Sequence, residues 1–324
     1  MRPTLPHSQH ILPPAAMLAV ANIVFPVFAL IFLGFAFRRT GILNATAVTE
    51  LNRFVVYLAL PALMVDVIVS HPWDTLYQPG FILATEAAVF GIFGPVFLFH
   101  WLRWKKPVEA SIEATVASYA NTGYVGIPLC LLAFGREGLA PAAVSSLLTV
   151  SVNFAASIIL VETGMMQGTR PMTAIRKVLV SLCRNPLIVT PCVAGLVAAM
   201  GISIPHGISQ AIQLLGSAAC PCALVATGLF LAQKQKETHA LLTVELVALK
   251  LIVQPLIAWY FAYQVFDMPE VWAKAAVVLS ALPTGTGPFM LAEIYQRGTA
   301  IASRSILLST LVSTISVSMW LGIL

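Results

Sequence analysis

The sequence predicts an all-α membrane protein: ten transmembrane helices arranged as two inverted five-helix repeats, with helices 4 and 9 interrupted. Three observations predict it. The 324 residues are 59% hydrophobic and only 10% charged, with a mean hydropathy of +0.89, whereas a soluble domain carries about 25% charged residues. The apolar stretches come in lengths of about 20, the number that crosses a bilayer as a helix. The second half of the chain repeats the glycine and proline pattern of the first. Strands of a membrane barrel would alternate polar and apolar residues over ~10 positions, and that pattern is absent.

Apolar stretches bounded by charge, Pro or Gly place the spans at 19–37, 47–69, 81–101, 111–134, 139–162, 178–200, 207–232, 240–265, 272–295 and 300–323. Residues 1–16, with Pro3, Pro6, Pro13 and Pro14, form a disordered outer tail on this reading. The apolar run that follows Met17 continues into a full span rather than ending at a cleavage site, and Met17 is as good a start by this pattern as Met1. The first repeat is then 17–163, a cytoplasmic linker covers 164–177, and the second repeat is 178–324.

Loop charge sets the orientation. Arg38 and Arg39, then Arg103, Lys105 and Lys106, then Arg170, Arg176 and Lys177, then Lys234 and Lys236, and finally Arg297 fall in alternate loops. The positive-inside bias makes those loops cytoplasmic and puts both termini outside, in an inner membrane of bacterial type. The net charge of +5 follows from these loops; no basic run with interleaved aromatics points to nucleic acid. The five cysteines, all in apolar stretches without CxxC spacing, read as small packing residues.

An offset of 160 pairs Pro26 with Pro186, Pro61 with Pro221, Pro95 with Pro255, Pro128 with Pro288, Gly41 with Gly201 and Gly138 with Gly298. Chance would give roughly one such match. Five spans per half is odd, so the second half enters the membrane from the other side, the inverted arrangement found in secondary transporters.

Pro inside a helix removes a donor and clashes with the preceding turn, which is tolerated in lipid only where protein or a wet cavity satisfies the freed groups. Two clusters concentrate the defect. Span 4 reads SYANTGYVGIPL, with Asn121, Thr122, Gly123 and Pro128; span 9 reads SALPTGTGPFML, with Pro283, Thr284, Thr286 and Pro288. Paired interruptions in inverted halves point to a binding site built from broken helices, whereas Pro26, Pro95, Pro186 and Pro255 read as ordinary membrane-helix prolines.

Charges within spans are candidates by default. Arg53, Glu113, Glu162, Arg184, Glu293 and Arg304 lie near span ends, where snorkelling accounts for them. Lys250 is near the middle of span 8: it is a candidate for a second substrate carboxylate, or else pairs with Glu86 or Glu245. Asp66 and Glu86, in the outer parts of spans 2 and 3, are the candidates for ion coupling, with ion-pair or cavity-lining roles as the plainer alternative. The histidines are assigned no role, His100 standing at a span end. There is no metal-ligand constellation and no HExxH, GxSxG or P-loop pattern, which removes ATP-driven pumping and leaves no cofactor to assign.

At FPVFALIFLGFAFRRTGIL, LALPALM, NTGYVGIPL, RNPLI, CPCALVATGLFLA and LLSTLVS, in this order and spacing, the sequence resembles the auxin efflux carrier family, which includes plant PIN-like carriers and bacterial malonate or malate permeases. The resemblance implies ten helices with helices 4 and 9 crossing at mid-membrane, substrate beside the crossing, small organic anions as substrates, and elevator-like movement of one domain against a scaffold. By position it carries over to Asn121, Gly123 and Pro128 and to Pro283 and Pro288. The long cytoplasmic loop of plant members shrinks here to about Gly164–Lys177. A proton or sodium ion is the coupling partner to expect; the oligomeric state stays open, a homodimer included. The alternatives are a carrier of another class with the same inverted repeat, such as a bile-acid symporter or a sodium/proton antiporter, and an intramembrane hydrolase, which would need Asp66 and Glu86 at one depth.

Overall fold

The structure is a computed structural model and describes residues 14–70, 76–165, 176, 180, 183, 184, 186–202, 204–233 and 240–324. Among these residues it is helical throughout, with a single isolated pair of extended residues. Helix α1 is Pro14–Arg39; α2 (Ala45–Phe54) runs through a π-turn, Val55–Ala59, into α3 (Leu60–Ser70); α4 is Pro79–Trp104. Next come α5 (Pro107–Ser118), a π-turn at Thr122–Gly126, α6 (Ile127–Phe134), α7 (Leu139–Leu148), a π-turn at Thr149–Asn153 and α8 (Phe154–Met165). The second half holds α9 (Pro186–Ala199), α10 (His206–Ser217), α11 (Ala219–Leu231), α12 (Ala240–Ala248), a π-turn at Leu249–Val253, α13 (Gln254–Tyr260), a π-turn at Phe261–Val265, α14 (Glu270–Ser280), α15 (Gly287–Ile294) and α16 (Thr299–Ile323).

Seven continuous runs among the described residues are long and apolar enough to cross a bilayer: Val20–Arg39, Thr46–Ser70, Pro79–Trp104, Thr122–Met165, His206–Leu231, Ala240–Val265 and Thr299–Ile323. Expected spans 4 and 9 are missing as separate runs because they are broken, whereas span 6 is represented only by α9, 14 residues long, since most of 177–185 lies outside the described residues. With 12 residues, α5 extends about 18 Å at 1.5 Å per residue, well short of a ~30 Å hydrocarbon core; α14 and α15 are shorter still. Thr122–Met165 is counted as one run of 44 residues, although it holds the end of predicted span 4 and the whole of span 5.

The tail expected at 1–16 is corrected at its end. Residues 1–13 lie outside the described residues, but the helix already begins at Pro14, because a proline in the first turn has no partner for an N–H to lose. The linker expected at 164–177 overlaps the end of α8, which runs to Met165; most of the remainder lies outside the described residues.

Two groups of helix contacts stand out, joined through α16, which packs on α1 as well as on α12. α1 lies along α11, while α9 and α10 lie along α3. On the other side α4 packs on α5 and α13, α5 on α8, and α12 on α16. Between α1 and α11 the backbones touch: a Cβ on Gly34 would collide with the Val225 carbonyl, and one on Gly228 with the Ile31 carbonyl. Small residues at helix contacts permit this approach in membranes. The repeat mates Gly41 and Gly201, just beyond the ends of α1 and α9, both take positive φ, 78° and 65°, which only glycine adopts without strain.

Candidate transport site at two broken helices

The centre of the molecule is built by two interruptions. After α5 stops at Ser118, residues 119–121 are extended before the helix resumes at Thr122; after α14 stops at Ser280, the chain is irregular until α15 begins at Gly287. These stretches cross antiparallel, with Ala120 opposite Thr284. Asn121 N–H donates to the Pro283 carbonyl at 2.9 Å, and Gly285 N–H donates to the Tyr119 carbonyl at 3.0 Å. A helix end leaves carbonyls and N–H groups without partners, and the two interruptions satisfy part of each other's need.

The remaining carbonyls are met by side chains. Thr284 Oγ1 donates to the Val116 carbonyl at 3.0 Å, Gln254 Nε2 donates to the Ser118 carbonyl at 2.9 Å, and Lys250 Nζ donates to the Ser280 carbonyl at 2.7 Å. Lys250 and Gln254 stand one turn apart and hold the C-terminal ends of both half-helices. Lys250 is fully buried, at 0% exposure, and its Nζ donates at the carbonyl end of α14, the negative end of the helix dipole. It reaches neither carboxylate named in the sequence reading: Glu245 Oε1 lies 3.9 Å from His100, and Glu86 Oε2 is buried without a hydrogen-bond partner.

The opposite ends face a cavity of about 140 Å³. Asn121, Thr122, Gly123 and Tyr124 from one half-helix start line it, together with Thr286, Gly287 and Met290 from the other. Val56 and Leu60, Thr149 and Val150, Tyr119 and Phe154 complete the wall. Asn121 is 5% exposed, and its Nδ2 donor has no partner. Gly287 admits the Tyr119 ring, since a Cβ there would stand 2.6 Å from the ring. Tyr124 Oη donates to Asn52 Oδ1 at 3.2 Å, tying the half-helix to α2.

Of the residues singled out in the sequence, the structure brings Asn121, Thr122, Gly123 and Thr286 to this cavity. Pro128, Pro283, Thr284, Pro288 and Lys250 are near the crossing but do not line it. Pro288 occupies the first turn of α15, where its missing N–H costs nothing. The helix resumes at Thr122, six residues before Pro128. A π-turn absorbs the proline: Gly126 N–H reaches back five residues to the Asn121 carbonyl, and Ile127 N–H to that of Thr122. Asp66 and Glu86 are elsewhere and apart, Asp66 Oδ1 accepting from Gln213 Nε2 at 3.2 Å. Among the wall residues that sequence reasoning missed, Val56, Tyr124, Thr149 and Val150 stand in π-turns; such turns gather at functional sites but carry no sequence mark of their own.

Residues 19–321 match the family model described as membrane transport protein. The chain belongs to this family. It is the auxin efflux carrier family that the span motifs resemble. Family members with curated descriptions match along nearly their whole lengths. A Rhizobium meliloti protein named "Putative malonate transporter" is 28% identical, over 93% of this chain and 95% of its own length. An uncharacterized transporter of Methanocaldococcus jannaschii is 24% identical over 92% and 97%, and the uncharacterized transporter YfdV of Escherichia coli is 22% identical over 92% and 95%. The family assignment and the apolar helices together make the chain a multi-pass membrane transport protein.

Proposed function

We propose that the chain is a secondary active transporter of small organic anions, dicarboxylates such as malonate among them, with the anion's carboxylate seated in the cavity at the crossing. The observation that carries this reading is Asn121 Nδ2, a buried donor without a partner in a cavity where the helix starts at Thr122 and Gly287 meet. Helix starts present free N–H groups and the positive dipole end, about half a charge each, and both features attract a carboxylate. A relative named as a malonate transporter agrees in chemistry.

The same reading takes ten spans in two inverted repeats with both termini outside the cytoplasm. Positive φ at Gly41 and Gly201 supports the repeat, and the alternate basic loops support the orientation. The set of α1, α3 and α9–α11 would serve as the scaffold against which α4, α5, α8 and α12–α16 move in an elevator-like cycle. Sodium coupling, as in a bile-acid symporter, has less support. In carriers with broken helices the C-terminal carbonyl ends hold the cation, and here Lys250 and Gln254 already occupy such ends.

Uptake of labelled malonate into proteoliposomes tests the proposal. Unlabelled mono- and dicarboxylates should compete, their neutral amides should not, and replacing sodium by choline should leave the rate unchanged. Equal competition by amides and carboxylates would overturn the anion assignment.

A further inference from the structure

A second polar site lies away from the crossing, at the membrane face that carries Arg103 and Lys106. His100 of α4 is buried at 1% exposure. Its Nδ1 lies 2.7 Å from Glu113 Oε2 of α5, and its Nε2 lies 3.9 Å from Glu245 Oε1 of α12. Three helices thus meet on one imidazole. The Trp104 ring covers it edge-on at 4.5 Å. Glu113 does not reach out to water from its span end, as snorkelling would require; it turns inward to the histidine.

The site is open to protons. Glu113 and Glu245 line a cavity of about 550 Å³ that Arg103, Lys106 and Glu109 also line, and the Glu245 side chain is half exposed. Of the surrounding charges, Arg103 stacks over the Phe99 and Trp104 rings and Glu109 accepts from Arg297 at 3.2 Å, while Lys106 lines the same cavity.

We infer that His100, Glu113 and Glu245 form a proton-binding triad that senses pH on the face carrying Arg103 and Lys106 and sets the transport rate accordingly. A neutral imidazole has one N–H and can serve one carboxylate; an imidazolium has two and serves both. The observed distances, 2.7 Å on one side and 3.9 Å on the other, are those of a ring committed to Glu113 with Glu245 one side-chain adjustment away. Proton uptake supplies the second N–H and draws α12 toward α4 and α5. Geometry links this to the crossing. Glu113 precedes Ser118 by five residues and Glu245 precedes Lys250 by five, each about 7.5 Å along its helix. Protonation therefore acts at the feet of the two elements whose upper ends hold the broken helices.

The inference rests on the anion-carrier reading for its rate effect, so its test has two arms. In the first, labelled malonate uptake is measured in oriented proteoliposomes with pH varied from about 5 to 8 only on the face bearing Arg103 and Lys106. The wild-type rate should change about fivefold or more, whereas that of His100→Gln, whose amide still donates to Glu113, should no longer follow pH. A flat wild-type profile, or the same profile in both proteins, overturns the inference. The second arm needs no substrate: NMR of ¹⁵N-histidine-labelled protein, with the His100 signal identified by its loss in His100→Gln. On acidification that signal should change in one step, and the step should differ in Glu245→Gln, which removes one of the two carboxylates facing the ring. A His100 ring that does not titrate, or a step indifferent to Glu245→Gln, overturns the triad even if malonate proves not to be carried; absence of malonate uptake with an intact titration counts against the substrate reading alone.

Discussion

Lys250 Nζ donates to the carbonyl of Ser280, the last residue of α14, at 2.7 Å, and is fully buried there. The amino group is thus a fixed end-piece of a broken helix. Replacing it by Met leaves a buried carbonyl unpaired, a loss of about 1–3 kcal/mol. Lys250→Met should therefore lower the melting temperature and reduce uptake of mono- and dicarboxylates alike. Selective loss of dicarboxylate transport would return Lys250 to the role of substrate ligand.

Asn121 and Pro128 separate under substitution. Asn121→Ala removes an unpartnered donor from the cavity, and a hydrogen bond to a charged ligand contributes about 1.5–3 kcal/mol, so malonate affinity should fall about tenfold or more. Pro128→Ala restores an N–H inside a helix that is already continuous from Thr122, and the break at 119–121 should persist. Thermal-shift titrations with malonate compare the two; equal losses would mean that Pro128 maintains the break after all.

Gly287 and Tyr119 should behave as a coupled pair. A methyl at 287 meets the Tyr119 ring, and overpacking of this kind costs about 1–3 kcal/mol. Gly287→Ala should depress uptake and thermal stability, while the double variant with Tyr119→Ala should recover part of the stability. Strictly additive losses in the double-mutant cycle would show that the ring moves aside freely.

Thr40 lies exposed between α1 and α2, beside Arg38 and Arg39. In a variant lacking native cysteines, Thr40→Cys should resist a membrane-impermeant thiol reagent added to intact cells and react once the cells are opened. Labelling in intact cells would reverse the assigned orientation.

Much of this architecture is legible in the sequence because glycine and proline leave their mark wherever a helix is interrupted. SYANTGYVGIPL and SALPTGTGPFML mark both breaks, and Asn121, Thr122, Gly123 and Thr286 do line the cavity. The reading fails where backbone answers to side chain. Pro128 stands in the first turn of α6, yet the helix is already running from Thr122 through a π-turn that holds Gly123 and Gly126. The partner of Lys250 is a main-chain carbonyl thirty residues away, which no residue pattern announces. His100 and Glu113 are thirteen apart, across the turn between α4 and α5, so neither helical spacing nor a motif relates them. Hydropathy averaged across a break gives one span, and the Gly and Pro clusters of spans 4 and 9 are what mark that the pieces, α5, α14 and α15 among them, are each too short to cross alone.

At the crossing two main-chain hydrogen bonds, from Asn121 N–H to the Pro283 carbonyl and from Gly285 N–H to the Tyr119 carbonyl, make the pairing of Ala120 with Thr284. Main-chain bonds are indifferent to which side chain a residue carries. Val56, Thr149, Val150 and Met290 take part neither in these bonds nor in those from Thr284, Gln254 and Lys250, so the lining can change while the junction stays. A lineage with this device can acquire new substrates by single substitutions on an inherited frame.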